Sequence, residues 1–170
     1  SGTCALGNQF VLTPSCNGFN NGTGVATVTT SIPSPTINYI WSNGGGTVST
    51  TFSTAALTNT VGNLPNGIYT VQIQVNAPCG PVYVNTVNIN CCPPINITPS
   101  FTQAGCTNTV NGASLAVSGQ GTLVPTIVWN PAPGAVAGNS LSATNLAVGV
   151  TTISLNFGFG CLSTVTVNML

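Results

Sequence analysis

One stretch constrains this chain more than any other. After Ile68, the residues Tyr69, Val71, Ile73 and Val75 alternate with Thr70, Gln72 and Gln74. Successive side chains of an extended chain point to opposite faces, so this pattern predicts a strand with one dry and one wet face. Cys79 follows in a predicted turn, and a second alternating run extends from Val82 to Asn90. The phrase returns as Gly149-Val-Thr-Thr-Ile-Ser-Leu-Asn-Phe-Gly-Phe-Gly-Cys161, closed by Thr164 to Leu170. A strand, a cysteine turn and a closing strand, used twice, predict an all-β chain of two tandem β-sandwich domains.

The remaining segments fit the same repeat. Gln9 to Thr13 is expected to form a short first strand, turned by Pro14-Ser-Cys16-Asn-Gly18. Asn20-Asn-Gly-Thr-Gly24 is expected to be a turn, because Asn and Gly accept positive φ. Strands follow at Val25–Thr30 and Thr36–Trp41, with one or two weaker ones between Thr47 and Thr60. The second copy starts at Cys91-Cys92-Pro93-Pro94, which divides the chain into domains 1–91 and 92–170. Asn96-Ile-Thr-Pro99 repeats Val11-Leu-Thr-Pro14, and Asn111-Gly-Ala-Ser-Leu-Ala repeats Asn21-Gly-Thr-Gly-Val-Ala. Pro125-Thr-Ile-Val-Trp129 repeats the segment ending at Trp41, and Asn145-Leu-Ala-Val-Gly149 repeats Asn63-Leu-Pro-Asn-Gly67. Short strands with Gly and Pro turns predict seven strands per copy, and no segment carries a capped 3.6-residue apolar period.

The wet faces are unusual, because the 170 residues include no Lys, Arg, Asp, Glu or His. Acid–base catalysis normally uses one of those side chains, and Ser, Thr or Cys nucleophiles have nothing here to activate them. The chain is therefore expected not to be an enzyme. Calcium and magnesium want carboxylate oxygens, and nucleic acid wants cations against its phosphates, so neither is an expected partner. No cofactor is implied. No apolar run approaches the ~18 residues that span a bilayer. Ser1-Gly-Thr3 carries no basic or apolar leader, which suggests a processed chain. The seven cysteines lack paired C-x-x-C knuckles, so disulfides in an oxidising, extracellular setting are expected rather than zinc. Trp41 and Trp129 occupy matching points of the two copies and are expected in the cores. Asn21-Gly-Thr23 and Asn96-Ile-Thr98 fit the N-glycosylation acceptor pattern, which makes Asn21 and Asn96 candidate glycan sites.

The succession Cys16-Asn-Gly18, Asn21-Gly22, Pro35-Thr-Ile37 to Trp41, Asn63-Leu64 to Gly67-Ile-Tyr-Thr-Val71 and Cys79 resembles a known family. It is similar to the immunoglobulin-like repeats of secreted Bacteroidota cell-surface proteins, gliding-motility adhesins among them, and more loosely to the polycystic-kidney-disease type of sandwich. Where such repeats carry acidic loops, this chain has Asn76-Ala-Pro78 and Phe157-Gly-Phe-Gly160, which argues against calcium. The immunoglobulin-like topology implies bridges Cys4–Cys79, Cys16–Cys91 and Cys92–Cys161. Cys106 is left unpaired or bridged to another subunit, because its counterpart would fall just past Leu170. The rival map, Cys16–Cys79 and Cys106–Cys161, needs those cysteines on facing sheets rather than in turns.

These readings point to a structural subunit of an extracellular filament, pilus-like fibre or sheath, with copies of itself as partner and the cell surface as location. Residues 1–13 are expected at the subunit contact. The alternative is a ligand-binding repeat of a surface adhesin, with a surface glycan or other cell-surface partner. An ice- or glycan-binding protein is a third reading, because Thr47–Thr54 and Thr164–Val167 place hydroxyls in rows. Thr is also simply a good exposed strand residue.

Overall fold

A computed structural model describes residues 7–76, 81–105, 110–133 and 139–170. The described residues form strands, turns and extended chain without helix, and the chain divides into two compact units, Ser1–Cys92 and Pro93–Leu170.

The first unit contains β1 (Gln9–Gly18), β2 (Asn21–Thr29), β3 (Ile37–Asn43), β4 (Gly46–Thr54), β5 (Thr58–Leu64), β6 (Gly67–Val75) and β7 (Val82–Ile89). They make two antiparallel sheets, in the orders β1-β2-β5 and β4-β3-β6-β7. The chain crosses between sheets after β2, after β4 and after β5, the connectivity of an immunoglobulin-like sandwich. Tyr69, Val71, Ile73 and Val75 of β6 all turn inward and are buried. On β3 they meet Trp41, Tyr39 and Ile37 in the register Trp41↔Val71, Tyr39↔Ile73, Ile37↔Val75. Ala26 and Val28 of β2 and Leu64 of β5 close the core from the other sheet. Each large apolar side chain so buried contributes about 1.5–3 kcal/mol.

The polar tips of Trp41, Tyr39 and Tyr69 find partners. Trp41 Nε1 donates to Asn59 Oδ1 at 2.8 Å, which joins the two sheets through the core. The Tyr39 hydroxyl donates to the Ala56 carbonyl and the Tyr69 hydroxyl to the Pro65 carbonyl, both at 2.7 Å. The Tyr69 bond reaches back four residues across the β5–β6 corner, as a tyrosine corner does.

Two expected turns are strand. β1 runs on through Pro14 and Cys16 to Gly18, because it is the outer strand of its sheet and a missing N–H there breaks no ladder bond. Asn20 alone takes the left-handed turn (φ 54°), and Gly22 and Gly24 lie inside β2 on its buried face. Their lack of a side chain answers close packing, since a Cβ at Gly24 would lie 2.6 Å from Trp41 Cζ3.

The second unit contains β8 (Asn96–Thr102), β9 (Gly112–Ser118), β10 (Thr126–Asn130), β11 (Ser142–Thr144), β12 (Gly149–Asn156) and β13 (Leu162–Met169). Its sheets run β11-β9-β8 and β10-β12-β13, so six strands match those of the first unit. The place of β4 falls between β10 and β11, where residues 134–138 are outside the described set. Pro99 lies within outer strand β8, as Pro14 does within β1. Trp129 is buried and donates through Nε1 to the Ser140 carbonyl at 3.0 Å. The corner before β12 repeats that before β6: Asn63 and Asn145 have φ of 55° and 57°, and the next residues, Leu64 and Leu146, are buried. Thr151 stands where Tyr69 does in the first unit and is also buried.

Candidate functional site

Cys16 is bonded to Cys91, with Cα atoms 5.5 Å apart, which ties β1 to the chain leaving β7. Gly22 makes room beside it, since a Cβ there would lie 3.2 Å from Cys91 Sγ and 2.4 Å from Ile89 Cγ2. Three residues around the bond hold one another. The Asn66 amide donates to Asn20 Oδ1 (2.8 Å), the Cys91 amide to Asn66 Oδ1 (2.7 Å) and the Asn20 amide to the Cys91 carbonyl (3.0 Å). Neutral amides thus close this end of the sandwich, a role that Asn composition alone does not reveal. Cys92 and Cys161 are each disulfide-bonded as well. Cys4, Cys79 and Cys106 lie outside the described residues.

The candidate glycan positions differ. Asn96 is exposed at the start of β8, whereas Asn21 is half-buried in β2 with Oδ1 shielded from solvent and unpartnered. No group of three metal-ligating side chains occurs among the described residues. None of their helices is long and apolar enough to cross a membrane, since they form no helix.

Burial pushes the Tyr39 phenol above its ordinary value. A raised folded-state value means that the associated stability is present below the ordinary tyrosine pKa of about 10 and is lost as pH rises through the folded value. Tyr39→Phe removes that alkaline loss but also the bond to Ala56, at a cost of about 1 kcal/mol. Urea unfolding between about pH 8 and 11 should therefore show wild type falling more steeply than Tyr39→Phe.

With no charge anywhere, the surfaces available for recognition are the outer sheet faces and outer strands. On the β1-β2-β5 sheet the register sets Val11–Thr27–Thr58 and Thr13–Val25–Thr60 in rows. On the matching sheet of the second unit the rows are Ser100–Ser114–Ser142 and Thr102–Gly112–Thr144. Such rows repeat about 4.8 Å across strands and about 6.7 Å along them. Between the last two rows lies a depression of about 280 Å³, with Phe101, Ala113 and Ala143 also contributing. These rows were invisible in the sequence, because their members come from strands far apart along the chain. Of the Thr stretches read there, Thr47–Thr54 lies in outer strand β4 and Thr164–Val167 in outer strand β13. The outward side of the β4-β3-β6-β7 sheet is more apolar, with Phe52, Ile68 and Val84 more than half exposed among Gln72, Gln74 and Thr70. A shallow hollow there, about 50 Å³, is lined by Asn38, Ile40, Gln72, Gln74 and Val82. Hydroxyls and amides both donate and accept, so these faces complement neutral polar surfaces without charge pairing.

No family model matches the sequence, and no curated relative matches it. Among solved structures, the chain is similar to a C-terminal 282-residue fragment of intimin in complex with the intimin-binding domain of the translocated intimin receptor, at 16% identity and a TM-score of 0.39. That likeness covers 95% of this chain, which spans 64% of the intimin fragment. Fibronectin(III)-like modules of Clostridium thermocellum CbhA are similar at 14% identity and a TM-score of 0.34, over 95% of this chain and 94% of theirs. Each unit is immunoglobulin-like on its strand order, independently of either likeness.

Proposed function

We propose that this protein is a structural subunit of an extracellular filament, fibre or sheath that assembles from copies of itself. One observation carries the proposal: outer faces that an ordinary domain coats with charge consist here of Thr, Ser, Asn, Gln and apolar residues alone. Net charge and interspersed ion pairs keep soluble domains apart, and both are missing. The Cys16–Cys91 bond fits the oxidising setting of an external structure.

Cohesion in such material comes from apolar burial, amide and hydroxyl hydrogen bonds and disulfides. Salt screens ion pairs and pH titrates carboxylates and His, but this chain has neither. Assembly, followed by turbidity and electron microscopy from low to molar NaCl and from about pH 4 to 8, should therefore stay nearly constant. Sharp dissolution by moderate salt, or a steep midpoint in that window, would overturn the proposal. The depression between the Ser100 and Thr102 rows favours a second reading, a binding module of a surface adhesin with a neutral glycan as ligand. Glycan-array binding by subunits that never assemble would select it, and thermal hysteresis would select an ice surface instead.

A further inference from the structure

The outer strands of the four sheets differ in how well their free edges are protected. Natural sandwiches blunt such edges with charge, Pro, bulges or shortness, because an open row of N–H and C=O groups templates pairing with another chain. Charge is unavailable here, and the other devices are used almost everywhere. β1 carries Pro14 and an irregularity at Cys16/Gly18, and β8 carries Pro99. β4 has two register shifts and a left-handed Ser53 (φ 55°). β5 faces a shift at Gly22/Gly24, and β11 has three residues. β10 has five residues, and its Ile127 amide is met by Asn139 Oδ1 at 3.3 Å.

β13 carries none of these devices along its length; the nearest cap lies just past its end, where the Leu170 amide donates to Gln103 Oε1 at 2.8 Å. Its eight residues, Leu-Ser-Thr-Val-Thr-Val-Asn-Met, pair with β12 without a shift and contain no Pro or Gly. It ends its sheet, and the Thr164 and Thr166 side chains are exposed. β7, its counterpart in the first unit, is equally regular, but Asn85 Oδ1 already takes the Thr86 amide at 2.8 Å.

We infer that β13 is the strand through which one copy of this chain joins another, by antiparallel pairing with β13 of the second copy. The inference rests on the filament reading and names its contact. A charged partner would lose hydration against this edge and gain no counter-charge, whereas a second copy is neutral throughout. Pairing about a twofold at Val165 keeps side-chain faces matched, with Val165 opposite its own copy, Thr164 opposite Thr166 and Ser163 opposite Val167. Two three-stranded sheets then become one continuous sheet. β7 is the next least protected edge, and a second such contact through it would extend the pair into an open chain.

The test uses paired charges. Thr164→Lys with Thr166→Lys sets like charges opposite each other across the twofold, and Thr164→Glu with Thr166→Glu does the same with the other sign. Each double variant should raise the protein concentration at which sedimentable assemblies appear by about tenfold or more, equivalent to about 1.4 kcal/mol per contact. Circular dichroism and the urea transition should stay those of the wild type, because both side chains are exposed. An equimolar mixture of the two variants should restore assembly, since Lys then faces Glu. Thr58→Lys with Thr60→Lys, the same change on the blunted strand β5, should leave assembly intact. If the β13 variants assemble like wild type, if mixing restores nothing, or if the β5 variant fails equally, the inference is overturned and the filament reading stands. Wild-type protein that stays monomeric at every concentration overturns that reading, and this inference with it.

Discussion

Replacing Cys16 and Cys91 together by Ala should lower the unfolding free energy of the first unit by about 4 kcal/mol. The bond spans a sequence separation of 75. In the chain-entropy account, a loop of that length restricts the unfolded ensemble by about 4–5 kcal/mol, and the folded state need not change for the loss to appear. A typical domain has only 5–15 kcal/mol in hand, so the first unit should become marginal. The Asn20–Asn66–Cys91 ring uses the backbone of Cys91 rather than its sulfur, so it should survive in the folded variant. Urea unfolding should show an earlier transition for the first unit while that of the second stays in place. A shift below about 1 kcal/mol would mean that the ring, rather than the disulfide, holds β1 to the end of β7.

Trp41→Ala should cost about 3–5 kcal/mol, and Gly24→Ala about 1–3 kcal/mol, through opposite faults at one contact. Trp41 is fully buried, and its removal empties the centre of the sandwich and orphans Asn59 Oδ1. Ala at position 24 is an overpacking error, because its Cβ would fall 2.6 Å from Trp41 Cζ3 and 2.8 Å from Cη2. The indole cannot swing away without giving up its 2.8 Å bond to Asn59. The two changes should therefore not add. In the double variant the new methyl enters space the indole has left, so its added cost should fall toward zero. Denaturant melts of the four proteins give the coupling energy. Costs that add within about 0.5 kcal/mol would show that Gly24 is needed for its backbone and not for room.

Much of this protein was legible in its residues, and the limit has a physical cause. The alternation from Tyr69 to Val75 already implied a strand buried on one face, because a two-residue period is local backbone geometry. The repeated Trp, the Asn-Leu corners and the absent charges likewise implied two similar sandwiches with neutral surfaces. Pro14 and Gly24 were misread because their meaning depends on neighbours distant in sequence. Proline suits a strand only when that strand is outermost, and Gly24 is a core residue only because Trp41 arrives opposite it. Of residues 1–13, expected at the contact between subunits, Gln9–Thr13 pair with β2 along one edge of an outer strand, and residues 1–6 lie outside the described residues. The composition determined that this surface would be neutral. Tertiary structure decided which strand ended each sheet, which hydroxyls lined up in rows, and that β13 was left with a regular, unprotected edge. Register and edge position are relations between segments far apart along the chain, and no local pattern encodes them.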